Sequence, residues 1–351
     1  MSPPGGDTVS PRPAGVESLF EPRLAVDGTA QFDEAVSVAA WAPDGAGLVA
    51  GTLGGEVALC GRDGRVAVRL DTAAPVLDVC WSPTGDMVAA GCEDGSLWLW
   101  AAGGEPRRHA LGDAVEQLAW GASGLAAATG DAVVVLDAAG TNRVDLAVPP
   151  GAALVVAWTG SGAGAALLAG GVGGLREVLV GGSGGEAWPR AAVVALAVDP
   201  TTGVVAAGTL GGDVEIGRRG PTLAVGRDAI AALSWSASGS RLAAVSDGRL
   251  AVWALHAVDG TVTGPRRLVG HGDWVTGAAF SPVGPLLASV GADGGLALWD
   301  PAQTVDPLER VELGGPLDAL AWRPYGRALV AGSRDGLITV VDCSQLAPAS
   351  G

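Results

Sequence analysis

A unit of about 40 residues recurs along this chain and limits its fold more than any other feature. The most regular part of the unit is an apolar head residue followed by a Gly-containing turn, as in "WAPDG" and "WSPTG". Eight heads align, a degenerate one included: Trp41, Trp81, Trp120, Trp158, Val198, Trp235, Phe280 and Trp322. Successive heads lie 40, 39, 38, 40, 37, 45 and 42 residues apart. Such a period indicates an array of similar structural units.

Each head is followed by a residue pattern that favours a tight turn. In the fifth unit, Gly203 stands five residues after the head. The other seven units place Gly four residues after it: Gly45, Gly85, Gly124, Gly162, Gly239, Gly284 and Gly326. Five units also have Pro two residues after the head, as Pro43 does. Pro presets φ early in a turn, and Gly accepts a positive φ later in it. Each head is therefore predicted to end a strand.

Short apolar segments surround each turn. In the second unit they read "VLDVCW" before the turn, then "MVAAG" and "SLWLW", with the more polar "PRRHAL" last. Four antiparallel strands in about 40 residues is the period of a propeller blade. The repeat predicts an all-β propeller with eight four-stranded blades. Seven blades remain an alternative if the fourth unit, "GGVGGLREVLVGGSGGE", forms no proper blade.

One unit, residues 268–300, reads "LVGHGDWVTGAAFSPVGPLLASVGADGGLALWD". With Gly270-His271 near its start and Trp299-Asp300 at its end, it resembles a WD40 repeat. The resemblance extends in weaker form over residues 18–343, and it implies a WD40-like β-propeller. The last unit supplies three strands, so an N-terminal strand near residues 18–28 is expected to complete the eighth blade. Such a shared blade removes open sheet edges.

The resemblance also implies a hydrogen-bonded chain of four side chains, His271, Ser289, Asp293 and Trp299. A buried carboxylate or imidazole is costly unless it finds partners, and an indole N–H must also be satisfied. We interpret the four residues as a structural tetrad that holds the blade together. The alternative, a catalytic triad, would require an exposed Ser in a cleft.

Composition excludes several other functions. The formal net charge of −16 argues against binding to nucleic acid or to an anionic membrane. All 21 basic residues are Arg, so a Walker A loop and a Schiff-base enzyme are excluded for want of Lys. The three His and four Cys residues show no ligand spacing, so neither a metal nor a cofactor is expected. Residues 181–185 match G-x-S-x-G, but in a Gly-rich segment without the strand-to-helix context of that motif.

These observations predict a non-catalytic scaffold that binds one or more proteins through the propeller faces. The alternative is a propeller enzyme or a small-ligand-binding propeller that uses the central channel. Loops on a rigid scaffold carry recognition, and Trp and Arg often anchor interfaces. The candidate partner-binding residues are Trp274, Asp273, Arg334 and Glu93. For Trp274, packing within the blade is an equal alternative.

The chain is expected to form one domain. Residues 1–17 are predicted to be a disordered Pro/Gly-rich tail, residues 18–344 a single propeller, and residues 345–351 a short tail. The uncharged segment 146–175 is interrupted by Pro and Gly, so no membrane span is expected. We expect a monomeric, cytoplasmic protein with reduced, buried cysteines.

Overall fold

The computed structural model describes residues 24–101, 104–121, 123–130, 132–137, 139–148, 153–160, 166–178, 188, 191–256 and 261–346. Every regular element in these residues is a β-strand. The first sixteen are β1 (Ala25–Gln31), β2 (Val36–Trp41), β3 (Gly47–Thr52), β4 (Glu56–Gly61), β5 (Val66–Asp71), β6 (Val76–Trp81), β7 (Met87–Cys92), β8 (Ser96–Ala101), β9 (Arg107–Ala110), β10 (Val115–Gly121), β11 (Gly124–Thr129), β12 (Ala132–Leu136), β13 (Arg143–Ala147), β14 (Ala153–Thr159), β15 (Ala166–Gly171) and β16 (Gly174–Val178). The others are β17 (Val193–Val198), β18 (Val205–Thr209), β19 (Asp213–Ile216), β20 (Thr222–Ala224), β21 (Ala232–Trp235), β22 (Arg241–Ser246), β23 (Arg249–Leu255), β24 (Val262–Leu268), β25 (Val275–Phe280), β26 (Leu287–Gly291), β27 (Gly295–Trp299), β28 (Glu309–Glu312), β29 (Leu317–Trp322), β30 (Ala328–Ser333) and β31 (Leu337–Asp342).

The strands form eight antiparallel sheets, which we call blades 1 to 8. Blades 1 to 7 begin with β2, β6, β10, β14, β17, β21 and β25, and each joins consecutive strands; blade 8 has the order β1-β31-β30-β29. Seven blades have four strands, and blade 4 has three in the described residues. At the edge of β16, Leu175 and Trp188 exchange backbone hydrogen bonds of 2.9 and 3.2 Å, where an outer strand would lie. The prediction of eight blades is confirmed.

The ring closes through the N-terminal strand, as the sequence predicted. The first strand of blade 1, β2, contacts both β6 of blade 2 and β29 of blade 8. Strand β1 pairs with β31 of the last blade from Ala25 to Gln31, somewhat later in the chain than the expected residues 18–28. Residues 18–23 lie outside the described residues. The pairing continues to Gln31 because the buried Phe32 anchors its end and donates a backbone hydrogen bond to Gly336.

The head residues end the first strand of their blades and link neighbouring blades. Indole N–H groups of five heads donate to the carbonyl of the residue before the head of the preceding blade: Trp41 to Ala321, Trp81 to Ala40, Trp158 to Ala119, Trp235 to Ala197 and Trp322 to Ala279, at 2.8–3.2 Å. Phe280 has no such donor, and its backbone N–H instead meets Ser234 Oγ at 2.9 Å. The recurring Trp therefore joins blades as well as filling the core.

The hydrophobic core is divided among the seams between blades. Between blades 7 and 8, for example, Leu296 and Leu298 pack against Leu317 and Leu329, and all four side chains are buried. Because each strand places alternate side chains on opposite faces, every blade contributes to two such seams. The charged residues lie mainly in the turns and on the outer strands, as Arg108 in β9 and Arg310 in β28 do.

Candidate functional site

The four predicted tetrad residues lie in one hydrogen-bonded chain in blade 7. Trp299 Nε1 donates to Ser289 Oγ at 2.8 Å, and Ser289 Oγ lies 2.8 Å from His271 Nε2. His271 Nδ1 is 3.1 and 3.2 Å from the two Asp293 carboxylate oxygens. A neutral His271 with its proton on Nδ1 satisfies the whole chain, because Ser289 then donates to Nε2 while accepting from Trp299.

Asp293 is the centre of this cluster. It also accepts hydrogen bonds from Gly272 N at 2.6 Å, Gly295 N at 3.0 Å and the Arg310 guanidinium at 2.9 Å. Burial opposes its ionisation, but hydrogen bonds from His271, Gly295 and Gly272 outweigh that effect and lower the pKa of Asp293 to about 2. The carboxylate therefore joins the loop before β25, the turn before β27 and the outer strand β28.

The burial of this cluster bears on its chemistry. Ser289 has no exposed surface and both polar contacts of its hydroxyl are occupied. A nucleophile must reach a substrate carbonyl and have a vacant oxyanion site beside it. The arrangement instead satisfies buried polar groups and so supports the structural interpretation of His271, Ser289, Asp293 and Trp299.

Trp274 lies at the seam between blades 6 and 7 and is 59% exposed. One part of its ring packs on the backbone of Gly248, where an added Cβ would come within 2.7 Å of the ring. Its backbone N–H donates to the exposed Asp273 carboxylate at 2.8 Å. Trp274 thus has features of both alternatives, packing and partner binding. It packs against blade 6 and still presents most of its surface to solvent.

The other two candidates lie on different blades. Arg334 makes a two-point ion pair with Asp318, from Nε at 2.6 Å and from its second nitrogen at 3.1 Å, so its guanidinium already has a partner. Glu93 is exposed in the turn between β7 and β8. Asp273 and Trp274 are neighbours in blade 7, whereas Glu93 is in blade 2 and Arg334 in blade 8. The structure places all four at the same end of the blades but not at one point.

Equivalent turns present a ring of positions that the sequence analysis did not identify. We define the turn ring as the residue that follows the second strand of each blade: Leu53, Glu93, Gly130, Val172, Leu210, Asp247, Ala292 and Arg334. In five blades its backbone N–H donates, at 2.8–2.9 Å, to the carbonyl of the residue just before the first strand: Leu53 to Ala35, Glu93 to Pro75, Leu210 to Ala192, Ala292 to Trp274 and Arg334 to Pro316. In these five blades the backbone pairing is the same while the side chain varies.

Three turn-ring residues are large apolar side chains in solvent. Leu53 is 49% exposed, Val172 60% and Leu210 58%. A signal for two of them was present in the sequence, since "AGTLGG" occurs identically in the first and fifth units. The exposure of this Leu depends on the turn geometry rather than on composition, so the sequence alone does not show it.

Other predicted features add no chemistry to this surface. Residues 181–185, the G-x-S-x-G match, lie outside the described residues. In the part of the chain that the structure describes, no three His, Cys, Asp or Glu side chains are grouped as a metal site. All four cysteines are free thiols; three are buried and Cys80 is half-buried. No helix among the described residues is long and apolar enough to cross a membrane.

The half-buried carboxyl group of Asp78 bridges the seam between blades 2 and 3. Asp78 accepts hydrogen bonds from Val79 N and, across the seam, from Leu118 N, both at 2.8 Å. Burial raises the pKa of Asp78 to about 7, although these two N–H groups lower it. One seam further, Gln117 Oε1 accepts the corresponding bond from Val156 N at 2.8 Å. The neutral amide of Gln117 thus links blades 3 and 4 by the same kind of hydrogen bond with which Asp78 links blades 2 and 3.

This carboxyl group should make stability depend on pH. Its pKa of about 7 in the fold lies above the unfolded value, so its stabilising contribution is complete below about pH 4 and is lost as pH rises through about 7. Replacing Asp78 with Asn should remove this dependence. Between pH 5 and pH 8, the free energy of unfolding of the wild type should therefore fall by roughly 2–4 kcal/mol relative to that of the variant. Urea denaturation across this range measures it. Gln117→Glu is the matched variant and should gain a dependence of the same sign; equal slopes in wild type and Asp78→Asn would contradict the assignment.

The family comparison agrees with the fold. The family described as "WD domain, G-beta repeat" matches residues 64–101, 221–254 and 264–300. Each match begins at or just before the outer strand of one blade and ends at the third strand of the next. The sequence repeat is therefore offset from the blade by one strand, which is why β1 must complete blade 8. The chain thus contains repeats that match the WD40 model at three places, and its fold is an eight-bladed β-propeller.

Two further similarities are more limited. A 118-residue segment, 33% of the chain, is 27% identical to "THO complex subunit 3" from Arabidopsis thaliana and covers 37% of that protein. Well over half of this relative is thus unmatched. The crystal structure of the computationally designed Ika8 protein matches with a TM-score of 0.71 and 19% identity, covering 89% of this chain and 97% of the designed one. At that identity the match shows the fold alone.

Proposed function

We propose that this protein is a non-catalytic scaffold that binds other proteins through the face carrying the turn ring. The observation that carries the proposal is the backbone pairing shared by five of the turns, combined with varied and mostly exposed side chains. Rigid scaffolds with variable loops are suited to recognition. WD40 propellers generally bind proteins, and the relative named as a subunit of a complex is consistent with such a role.

The apolar members of this face would supply the binding free energy. Leu53, Val172, Leu210 and Trp274 are all about half exposed or more. Burying one such side chain against a partner contributes roughly 1.5–3 kcal/mol. Asp273 and Glu93 would act at the polar rim. Arg334 would take part as an ion pair with Asp318, since separating the two costs the charge-assisted hydrogen bonds between them.

The absence of catalysis, the compartment and the oligomeric state belong to the same proposal. The acid–base–hydroxyl set suggested by the sequence lies around Ser289. The Ser289 hydroxyl is buried, and both of its hydrogen bonds are made within this set. We infer a cytoplasmic protein because its cysteines are free thiols. We infer a monomer because a net charge of −16 makes copies repel one another.

Affinity purification from the native host tests the proposal. Trp274→Ala and Leu210→Glu should each reduce recovery of a specific protein partner about tenfold, a loss of about 1.4 kcal/mol. Val283→Glu is the matched control, because Val283 is 44% exposed in a turn at the opposite end of blade 7. Full recovery with both face variants, or equal loss with Val283→Glu, would show that the partner binds elsewhere.

A further inference from the structure

A cavity of 530 Å³ opens between blades 5 and 6, at the end of the blades opposite the turn ring. The turns after the first strands of both blades line it, through Thr201, Thr202 and Ser238 among others. Pro221 and Thr261 border it further out. It is therefore distinct both from the proposed protein-binding face and from the ring interior that the first strands surround.

The unequal lengths of the outer strands explain why the seam is open here. In blade 5, β19 has four residues and β20 only three, whereas β23 and β24 of blade 6 have seven each. The ends of the longer strands, with Leu255 and Val262, extend past the end of β20. Their side chains pack against the seam core but are only partly buried.

The wall of the cavity is apolar. Ile216 and Trp235 belong to the buried core of the seam, and Leu255 and Val262 pack against it. Val204, at the mouth, is 37% exposed. A ligand that enters here continues an existing hydrophobic core, and each methylene that it buries contributes about 0.8 kcal/mol.

The polar groups of the cavity leave no charge unpaired. The Asp199 carboxylate accepts hydrogen bonds from Thr201 N and Oγ1, both at 2.9 Å, and from the Thr202 hydroxyl. Ser238 Oγ lies 2.7 Å from Ser240 Oγ. The lining includes no Arg. Asp199 and His256 are the titratable residues of the lining. Hydroxyl groups can exchange partners with a ligand, whereas an anion would meet the Asp199 carboxylate and a cation would have to compete for oxygens that already accept hydrogen bonds from Thr201 and Thr202.

We propose that this cavity binds a neutral small molecule with an apolar ring or branched body and a hydroxyl or amide end. The apolar body would lie against Trp235 and Ile216, and the polar end would meet the hydroxyls of Ser238, Ser240 or Thr202. The volume is within the range of about 300–1,000 Å³ that holds small ligands. This site does not depend on the scaffold function, because it lies at the other end of the blades.

Three probes of matched shape test the ligand class: 4-phenylbutan-1-ol, 4-phenylbutanoate and 4-phenylbutylammonium. Saturation-transfer NMR on the full chain at pH 8 gives their affinities. The alcohol should bind, and both charged probes should bind at least about tenfold more weakly, because an unpaired buried charge is costly. The proposal would be overturned if a charged probe bound as tightly as the alcohol. It would also be overturned if the alcohol did not bind at about millimolar concentration, in 10-fold or greater excess over the protein.

Two filling variants locate the bound probe. Val204→Trp and Ser240→Phe should each abolish saturation transfer to 4-phenylbutan-1-ol while thermal unfolding stays cooperative. Ala46→Trp is the matched control, since Ala46 is an exposed residue of the corresponding turn in blade 1. An unchanged signal in a folded filling variant would place the probe elsewhere and overturn the assignment. Partner capture by these variants should be normal, so failure here is distinguishable from failure of the scaffold proposal.

Discussion

Replacing Asp293 with Ala is expected to lower the free energy of unfolding by about 3–5 kcal/mol. The carboxylate accepts hydrogen bonds from His271, Gly272, Gly295 and Arg310. Removing it leaves buried or half-buried donors without a partner, and Arg310 keeps only its ion pair with Glu312. Breaking one side of a buried charged pair is strongly destabilising because the remaining groups stay desolvated. Urea denaturation at pH 7 measures the change.

The neighbouring blade offers a matched control. Asp335 occupies the same turn position in blade 8. Among the described residues its carboxylate accepts no hydrogen bond, and the contact from Gln31 is to its backbone oxygen. Asp335→Ala should therefore change stability by less than about 0.5 kcal/mol. Asp293→Asn keeps one acceptor oxygen and should fall between the two. Equal effects at Asp293 and Asp335 would mean that the tetrad does not hold blade 7 together.

The second large effect is expected at the closure of the ring. Gly336 has a φ of +80°, and a Cβ added there would lie 2.2 Å from the Phe32 carbonyl oxygen and 2.9 Å from that of Glu34. Both atoms are backbone, so the segment that joins β1 to β2 must move. Gly336→Ala should cost about 3 kcal/mol or more, the sum of the strained φ and the clash.

Gly203→Ala separates these two contributions. Gly203 has a similar φ of +72°, but nothing lies within 4 Å of the position of an added Cβ. This variant should cost about 1–2 kcal/mol, from backbone strain alone. Hydrogen exchange should also accelerate in β1 for Gly336→Ala and not for Gly203→Ala. If the two variants lose equal stability and β1 stays protected, the N-terminal strand does not close the ring as described.

Much of the fold could be predicted because the blade is a local unit. The head Trp, the turn Gly and the alternating strands specify each blade from about 40 consecutive residues, and eight copies leave few other architectures. Even ring closure followed from counting strands in the last unit. The pairing of β1 continues to Gln31, beyond the predicted Gly28, because Phe32 becomes buried against a distant part of the chain.

The candidate site was harder to predict. Arg334 pairs with Asp318, 16 residues away in the chain, and Trp274 packs on Gly248, 26 residues away. No local sequence pattern predicts either contact. The exposed Leu53 and Leu210 were missed because an apolar residue in a repeat is normally assigned to the core. The cavity between blades 5 and 6 arises from a difference in strand length, which pairing in the folded sheet determines.

The central claim is that the best-preserved repeat supplies framework, whereas recognition belongs to the turn ring. The most direct test measures two quantities for Asp293→Ala and Leu210→Glu: the free energy of unfolding, and the amount of partner captured per folded molecule. The account predicts that Asp293→Ala loses stability with capture per folded molecule unchanged, and that Leu210→Glu loses capture with stability unchanged. Lost capture by folded Asp293→Ala, together with full capture by Leu210→Glu, would contradict it.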